Sequence, residues 1–166
     1  MYQYILLQHT NWCIIIVGDI MKKIDMYTDG SCIGNPGPGG WGVVLIYKGV
    51  EKEFSGFVPE TTNNRMEITA VIEGLKRVKE PCEITIYTDS AYTMNTFDKG
   101  WLDYWIMHNW KTSGRKPVQN QDLWQELVVM MQPHKITWIK VKGHADNKYN
   151  NRCDEIARGE ILKRQK

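Results

Sequence analysis

Apolar and polar side chains alternate along residues 24–29, which predicts a first β-strand with two distinct faces. Met26 and Thr28 fall on one face of this strand, and Tyr27 and Asp29 fall on the other. A run rich in glycine and proline follows directly, and we expect it to form a loop without regular structure. Asp29 should therefore end its strand, at a sheet edge where a ligand can bind.

Four more strands are predicted from runs of β-branched and aromatic residues. They lie at residues 42–47, 51–57, 83–88 and 135–141. A turn at Lys48 and Gly49 joins the first two of these as a hairpin. The 83–88 strand ends in Tyr87 and Thr88 and is followed by Asp89, so it repeats the Tyr-Thr-Asp ending of the first strand.

The apolar spacing changes to a helical period after residue 62. A long amphipathic helix is predicted, with Asn63 or Asn64 as its N-cap and an end before Pro81. Its apolar stripe consists of Ile68, Val71, Ile72, Leu75 and Val78.

Three further helices are predicted. They are a short helix capped by Ser90 and running to about Thr96, a helix at residues 120–131, and a final helix at residues 151–163. Residues 99–119 are rich in tryptophan, end in a basic turn and show no clear period. We expect that segment to be irregular.

Three strands followed by alternating helices and strands predict an α/β fold built on a mixed sheet. We expect five strands flanked by helices, in the order βββαβαβα. A right-handed crossover would make the first and fourth strands parallel neighbours. Asp29 and Asp89 would then lie side by side at the same edge of the sheet.

Length and composition favour one domain of an ordinary globular protein. The chain has 166 residues and a net charge of +2, so bulk charge does not announce a nucleic-acid partner. Its four cysteines have no paired metal-ligand spacing, and we expect reduced thiols in a cytoplasmic protein.

Residues 1–20 form a separate question. The apolar stretch at 5–17 is interrupted by polar residues and is shorter than the roughly 20 apolar residues of a membrane span. It also lacks the basic start and cleavage site of a secretory signal. We expect residues 1–20 to be a dispensable extension and residues 21–166 to form the functional domain. We expect a monomer and no membrane association.

Four acids stand out by their positions. Asp29 and Asp89 end predicted strands, while Glu67 and Asp154 fall in the first turns of predicted helices. Each has a structural interpretation alone: a turn cap for the strand-end acids, a capping box for Glu67 and a helix-dipole contact for Asp154. As a cluster they would repel one another unless cations held them. An all-carboxylate set suits Mg²⁺ or Mn²⁺, and two such ions are the usual means of phosphodiester cleavage.

Six segments in order resemble type 1 ribonuclease H in its bacterial form. They are the runs 28–32 with 34–40, 61–67, 88–90, 110–112 with 116–118, 120 with 122–124, and 141–145 with 150 and 152–155. The resemblance covers the chain from Lys23 to about Leu162. It implies the ribonuclease H-like fold and identifies residues 21–166 as the catalytic domain.

The resemblance implies endonucleolytic cleavage of the RNA strand of an RNA–DNA hybrid, with 5′-phosphate and 3′-hydroxyl products. It assigns Asp29, Glu67, Asp89 and Asp154 as ligands of two Mg²⁺ ions, for which Mn²⁺ can substitute. His144 matches the mobile-loop histidine that assists proton transfer or product release, a role suited to a group that titrates near neutral pH. The remaining histidines lack such a context.

The resemblance also assigns the contacts with the hybrid. The RNA 2′-hydroxyl would be read by Asn35, Asn63, Asn64 and the backbone around Cys32, with Glu67 within reach. Thr62 and Asn120 match a pocket for a DNA phosphate. Trp101 and Trp105 match aromatic residues on the floor of a DNA groove, whereas Trp124 is expected in the core.

The chain departs from the family pattern at several positions. The usual Lys/Arg run after Trp105 is replaced by Ile106, Met107 and His108, which predicts weaker hybrid binding and a shallower salt dependence. Ala91 replaces a frequent glutamine, and Asp146 replaces a glycine near the site.

Two other functions stay open from the residues alone. One is a hybrid-binding module that does not cleave, and the other is a different nuclease on the same fold, such as a resolvase or an integrase-like enzyme. The complete set of acids argues against the first, and the Asn63-Asn64 and Gly/Pro elements fit the second less well.

Overall fold

The computed structural model describes residues 21–143 and 147–164. The predictions for residues 1–20, His144 and Asp146 lie outside these described residues. The elements, in chain order, are β1 (Lys22–Cys32), β2 (Gly37–Tyr47), β3 (Val50–Thr61), α1 (Asn63–Lys76), β4 (Cys82–Thr88), α2 (Ala91–Asp98), α3 (Trp101–Met107), α4 (Gln121–Met131), β5 (Lys135–Lys140) and α5 (Lys148–Leu162).

The strands form one five-stranded sheet in the order β3-β2-β1-β4-β5. The pairs β1–β2 and β2–β3 are antiparallel, and the pairs β1–β4 and β4–β5 are parallel. This confirms the predicted mixed sheet and the parallel neighbourhood of β1 and β4. Short connections make the antiparallel hairpins, and helices make the crossovers between parallel strands.

The core lies between the sheet and helices α1 and α4, while α5 covers the opposite face over β1 and β2. Met26, Ile68, Ile86 and Trp124 are fully buried in it, so Trp124 is a core residue as expected. No helix among residues 21–143 and 147–164 is long and apolar enough to cross a membrane.

The glycine-rich run is largely a strand and not the loop that its composition predicts. β2 begins at Gly37, and Gly40 and Gly42 pair with both neighbouring strands. A Cβ atom at Gly40 would collide with the carbonyl oxygen of Ala157 in α5, and one at Gly42 would collide with that of Cys153. These glycines therefore let the backbone of α5 lie directly on β2.

Helix α1 is capped by Thr62 and not by Asn63 or Asn64. The Thr62 hydroxyl oxygen accepts a hydrogen bond from the Arg65 backbone N–H at 3.4 Å, and Thr62 itself is extended. Ser90 caps α2 as predicted, since its hydroxyl oxygen accepts from the Thr93 backbone N–H at 3.1 Å. Both caps satisfy first-turn donors that have no partner within the helix.

The tryptophan-rich segment contains the helix α3, which the sequence did not predict. Leu102 and Trp105 turn into the core from this short helix, and a helix of seven residues is too short to show a clear period. The last helix begins at Lys148, three residues before the predicted start. The Asn147 side chain caps it by accepting from the Asn150 backbone N–H at 3.0 Å.

Candidate active site

Asp29 and Asp89 are carried by adjacent parallel strands. Pairing of β1 with β4 ends at Tyr27 opposite Tyr87, two residues before each acid. Asp89 follows the end of β4, as predicted. Asp29 does not end its strand, because β1 continues to Cys32 in pairing with β2. The two acids therefore lie next to each other, just beyond the end of the parallel pairing between β1 and β4.

Glu67 approaches this point from α1. It lies in the second turn and not the first, so it forms no capping box with an asparagine. Its Oε1 accepts from Asn63 Nδ2 at 2.8 Å, and its Oε2 accepts from the hydroxyl of Ser90. Gly30 leaves room for this approach, since a Cβ there would collide with the backbone at Glu67.

Asp154 reaches the site from α5. Because α5 begins at Lys148, Asp154 stands in its second turn, and the predicted dipole contact in a first turn is wrong. Its Oδ1 lies 3.5 Å from Nε of Arg158. Asn150, one turn earlier on the same helix, is buried and donates from Nδ2 to Oδ2 of Asp89 at 3.2 Å.

The acids act on one another electrostatically. Burial raises the pKa of Asp29 to about 8, and the charges of Asp89, Asp154 and Glu67 add to the shift, against one hydrogen bond from the Gly30 N–H at 2.8 Å. Burial also raises the pKa of Glu67, with a contribution from Asp89, while the hydrogen bonds from Ser90 and Asn63 oppose the rise. The four carboxyl groups thus form one electrostatic neighbourhood.

This donor set fits a hard divalent cation by its chemistry. All four side chains offer carboxylate oxygen, and their mutual repulsion is what a bound cation would relieve. As the side chains stand, no three His, Cys, Asp or Glu residues in the described ranges are arranged closely enough to hold a metal ion. Electrostatic coupling extends over longer distances than metal coordination, so the raised pKa values indicate neighbouring acids and not a formed metal site.

A second feature is a hollow of about 300 Å³ at the start of α1. It is lined by Asn35, Thr62, Asn64, Gln119 and Asn120. Asn35 Oδ1 accepts from the Asn63 backbone N–H at 3.2 Å, which ties the loop after β1 to the start of α1. The Cys32 thiol donates to the carbonyl oxygen of Gly34 at 2.8 Å. The predicted RNA-side and DNA-side residues thus adjoin one another at this corner of the molecule.

The two tryptophans assigned to a DNA groove differ in exposure. Trp101 is 37% exposed, and the Lys99 ammonium group lies 5.0 Å from its ring centroid. Trp105 is only 9% exposed and packs against Trp124 at 5.9 Å between ring centroids. Trp105 therefore offers little surface for a groove floor, and it packs α3 against the core.

Several residues at the site escaped the sequence prediction. They are Arg65, Tyr92, Gln119, Gly143 and Asn150. Arg65, Gly143 and Asn150 lie within the matching segments without an assigned role, and Asn150 also stands four residues before Asp154, so the two share a helix face. Gly143 follows β5 and passes Asp89 so closely that a Cβ would lie 2.5 Å from Asp89 Oδ2. The others are recognised by contacts between segments distant in sequence.

Comparisons with known proteins identify the family of this chain. The ribonuclease H family model matches residues 21–161. The chain is 58% identical over 140 residues to ribonuclease H of Caldanaerobacter subterraneus subsp. tengcongensis, covering 84% of this chain and 92% of the relative. It is also 58% identical over 146 residues to ribonuclease H of Acetivibrio thermocellus, covering 88% of this chain and 99% of the relative.

Solved structures show the same architecture. LC9-RNase H1, a type 1 RNase H with the type 2 active-site motif, has a TM-score of 0.77 at 30% identity, over 86% of this chain and 74% of that chain. LC11-RNase H1 in complex with an RNA/DNA hybrid has a TM-score of 0.64 at 24% identity, over 86% and 99%, and supports the fold alone. Together with its sequence matches, this places the chain in the ribonuclease H family of RNA-cleaving hydrolases.

Proposed function

We propose that this ribonuclease H cleaves the RNA strand of RNA–DNA hybrids endonucleolytically with two divalent cations, leaving 5′-phosphate and 3′-hydroxyl ends. The observation that carries the proposal is the convergence of Asp29, Glu67, Asp89 and Asp154 in one electrostatic neighbourhood. When bound there, two Mg²⁺ ions, or Mn²⁺ in their place, would supply an activated water and charge stabilisation at the leaving oxygen.

The protein groups around the acids have positioning roles in this proposal. Ser90 and Asn63 each donate to one oxygen of Glu67 and so fix the direction of its carboxylate. Asn150 does the same for Asp89. Oriented carboxylates bind a cation without first reorganising, which favours a reactive geometry. His144 is proposed to assist proton transfer or product release, from its match to the family's loop histidine.

We further propose how the hybrid is distinguished. Asn35, Asn63, Asn64 and the backbone at Cys32 would contact the RNA 2′-hydroxyl groups, which the DNA strand lacks. Thr62 and Asn120, in the hollow, would bind a phosphate of the DNA strand, and the exposed ring of Trp101 would form part of the floor of a groove for that strand. Contacts with 2′-hydroxyl groups on one strand and with a DNA phosphate on the other suit a hybrid better than a duplex of RNA alone or of DNA alone.

One assay tests the proposal. The protein is incubated with Mg²⁺ and labelled RNA–DNA hybrid, duplex RNA or duplex DNA. We expect cleavage of the RNA in the hybrid alone, and its loss in Asp89→Asn. Asp98→Asn, at the exposed end of α2, is the matched control and should cleave normally. An active Asp89→Asn enzyme would contradict the metal site, and binding without cleavage by the wild type would indicate a hybrid-binding module.

Two further expectations belong to this proposal. The thiols of Cys32, Cys82 and Cys153 are free, which is consistent with a reducing cytoplasm. We also propose that the protein acts as a monomer, which light scattering at assay concentration would test.

A further inference from the structure

The hydroxyl group of Tyr92, in the first turn of α2, is a junction of three hydrogen bonds. It accepts from Nε1 of Trp124 at 3.2 Å and from Nδ2 of Asn120 at 3.3 Å. It donates to the backbone carbonyl oxygen of Gln119 at 3.4 Å. A tyrosine hydroxyl has one proton and two lone pairs, so these contacts use its full capacity.

Asn120 is held at both ends of its side-chain amide. Its Oδ1 accepts from Nη1 of Arg65 at 3.4 Å, while Nδ2 donates to Tyr92. Arg65 is itself fixed by two hydrogen bonds to the Asp122 carboxylate, at 3.0 and 2.6 Å. These partners decide which end of the amide is the donor. One N–H proton of Nδ2 is left for a ligand in the hollow that Asn120 lines.

The same turn of α2 also contacts the carboxylates. Asp89 precedes this helix, and Ser90, its N-cap, donates to Glu67. Ser90, which contacts the acid Glu67, and Tyr92, which contacts Asn120 in the hollow, therefore lie two residues apart in the same helical turn. This arrangement sets the position of the hollow relative to the carboxylates.

The lining of the hollow indicates the chemistry of its ligand. Its five residues carry amide and hydroxyl groups and no carboxylate, and the Arg65 guanidinium lies behind Asn120. Neutral hydrogen-bond donors suit a singly charged phosphodiester, whose contacts position a nucleic acid without reading its sequence.

We propose that Tyr92 is a positioning residue: its hydroxyl orients Asn120 and Gln119 for a DNA-strand phosphate and fixes that phosphate relative to the carboxylates. The inference rests on the proposed function, which assigns a DNA phosphate to the hollow. It adds a residue on α2 whose hydroxyl links the two parts of the site.

Steady-state kinetics of Tyr92→Phe test it, because the change removes only the hydroxyl. We expect KM for the hybrid to rise about threefold to tenfold, the effect of one weakened hydrogen bond, with kcat within about twofold of wild type. The slope of log binding constant against log salt should stay as in the wild type, because neither Tyr92 nor Asn120 carries a charge that neutralises a phosphate. Tyr47→Phe, at the far end of β2, is the matched control and should behave as wild type.

A double-mutant cycle with Asn120→Ala separates the inference from the function on which it rests. Asn120→Ala should raise KM in the wild type and raise it less in Tyr92→Phe, because Asn120 is already misoriented there. Independent, multiplying effects of the two changes, or a wild-type KM in Tyr92→Phe, would overturn the inference alone. An unchanged KM in Asn120→Ala would overturn the phosphate assignment itself, and the inference with it.

Nuclear magnetic resonance of the wild-type protein gives a second test that does not depend on the folding of any variant. The hybrid is added in EDTA, which prevents metal-dependent cleavage. The chemical shift of the Trp124 indole N–H should change together with that of the Asn120 side-chain amide, since both groups donate to the Tyr92 hydroxyl. Trp124 is fully buried, so direct contact with the hybrid would not move its signal. A shift of the Asn120 amide with an unmoved indole signal would contradict the proposal.

Discussion

At the scale of single residues, Asp29 combines burial with like charge. Both effects disfavour its ionised form, and one hydrogen bond from Gly30 opposes them only in part. Such a carboxyl group destabilises the folded protein at neutral pH unless a cation is present. Asp29 therefore both carries this electrostatic penalty and serves as a ligand in the proposed metal site.

Replacing Asp29 by Asn should abolish cleavage and stabilise the metal-free protein. The pKa of an aspartate is about 3.9 in the unfolded chain. In the folded protein, burial and the neighbouring charges raise the pKa of Asp29 to about 8. Between these values the folded wild type keeps a proton that the unfolded chain has lost, so its free energy of unfolding falls as pH rises. Asn has no such dependence. At pH 8 the free energy of unfolding of the variant should exceed that of the wild type by at least about 1 kcal/mol, since a pKa shift of one unit corresponds to about 1.4 kcal/mol.

Urea denaturation in EDTA at several pH values measures this difference. The advantage of the variant should be smallest near pH 4 and grow towards pH 8. A difference that stays constant with pH would show that Asp29 keeps an ordinary pKa in the folded protein.

At the scale of elements, two segments differ from what their composition predicts. The glycine-rich run forms most of β2 because α5 lies on it and excludes side chains. Part of the segment 99–119 forms α3, because Leu102 and Trp105 become buried in the core when this part is helical. In both cases a contact with a distant element overrides the local preference of the sequence.

Helix α3 also presents an apolar surface where the family pattern has basic residues. Ile106 and Met107 are 47% and 80% exposed, so neither is required in the core. Adding positive charge there should therefore change hybrid binding without unfolding the protein.

Introducing Ile106→Lys and Met107→Lys together should tighten hybrid binding and steepen its salt dependence by about one to two in the log–log slope. A salt titration of binding in EDTA measures this. Val50→Lys is the control, because Val50 is exposed at the hairpin turn, at the opposite end of the sheet from Asp29. Equal slopes for the double variant and the wild type would show that α3 does not approach the hybrid backbone.

At the scale of the whole molecule, the sheet order gathers the four acids. They come from β1, α1, the end of β4 and α5, and the sequence separates the first from the last by 125 positions. The parallel pairing of β1 with β4 places two acids side by side. α1 on one face and α5 on the other supply the remaining two.

If the cluster binds cations, Mg²⁺ should stabilise the entire fold. A ligand that binds only the folded state adds about RT ln(1 + [L]/Kd) to the free energy of unfolding, so the melting temperature should rise with Mg²⁺ concentration. The rise should be absent in Asp29→Asn and Asp89→Asn and retained in Asp98→Asn. Calorimetry with and without Mg²⁺ measures it, independently of cleavage. Equal shifts in all four proteins would mean that Mg²⁺ acts elsewhere.

The fold class, the five strands and the long helix could be predicted from the amino-acid sequence alone, as could the parallel strand pairing that brings Asp29 and Asp89 together. These follow from apolar periodicity and from the handedness of crossovers, which are local or general properties. The six matching segments also determined the family, and the comparisons confirm it.

The groups that contact the acids and line the hollow are set by packing between distant elements. Ser90 contacts Glu67, Asn150 contacts Asp89 and Tyr92 contacts Asn120 across separations that leave no periodic trace in the sequence. Burial of Trp105 and the strand character of the glycine run were likewise decided by packing against distant elements. A hydrogen bond or a close backbone approach depends on positions in space, which the chain acquires only when its elements pack together.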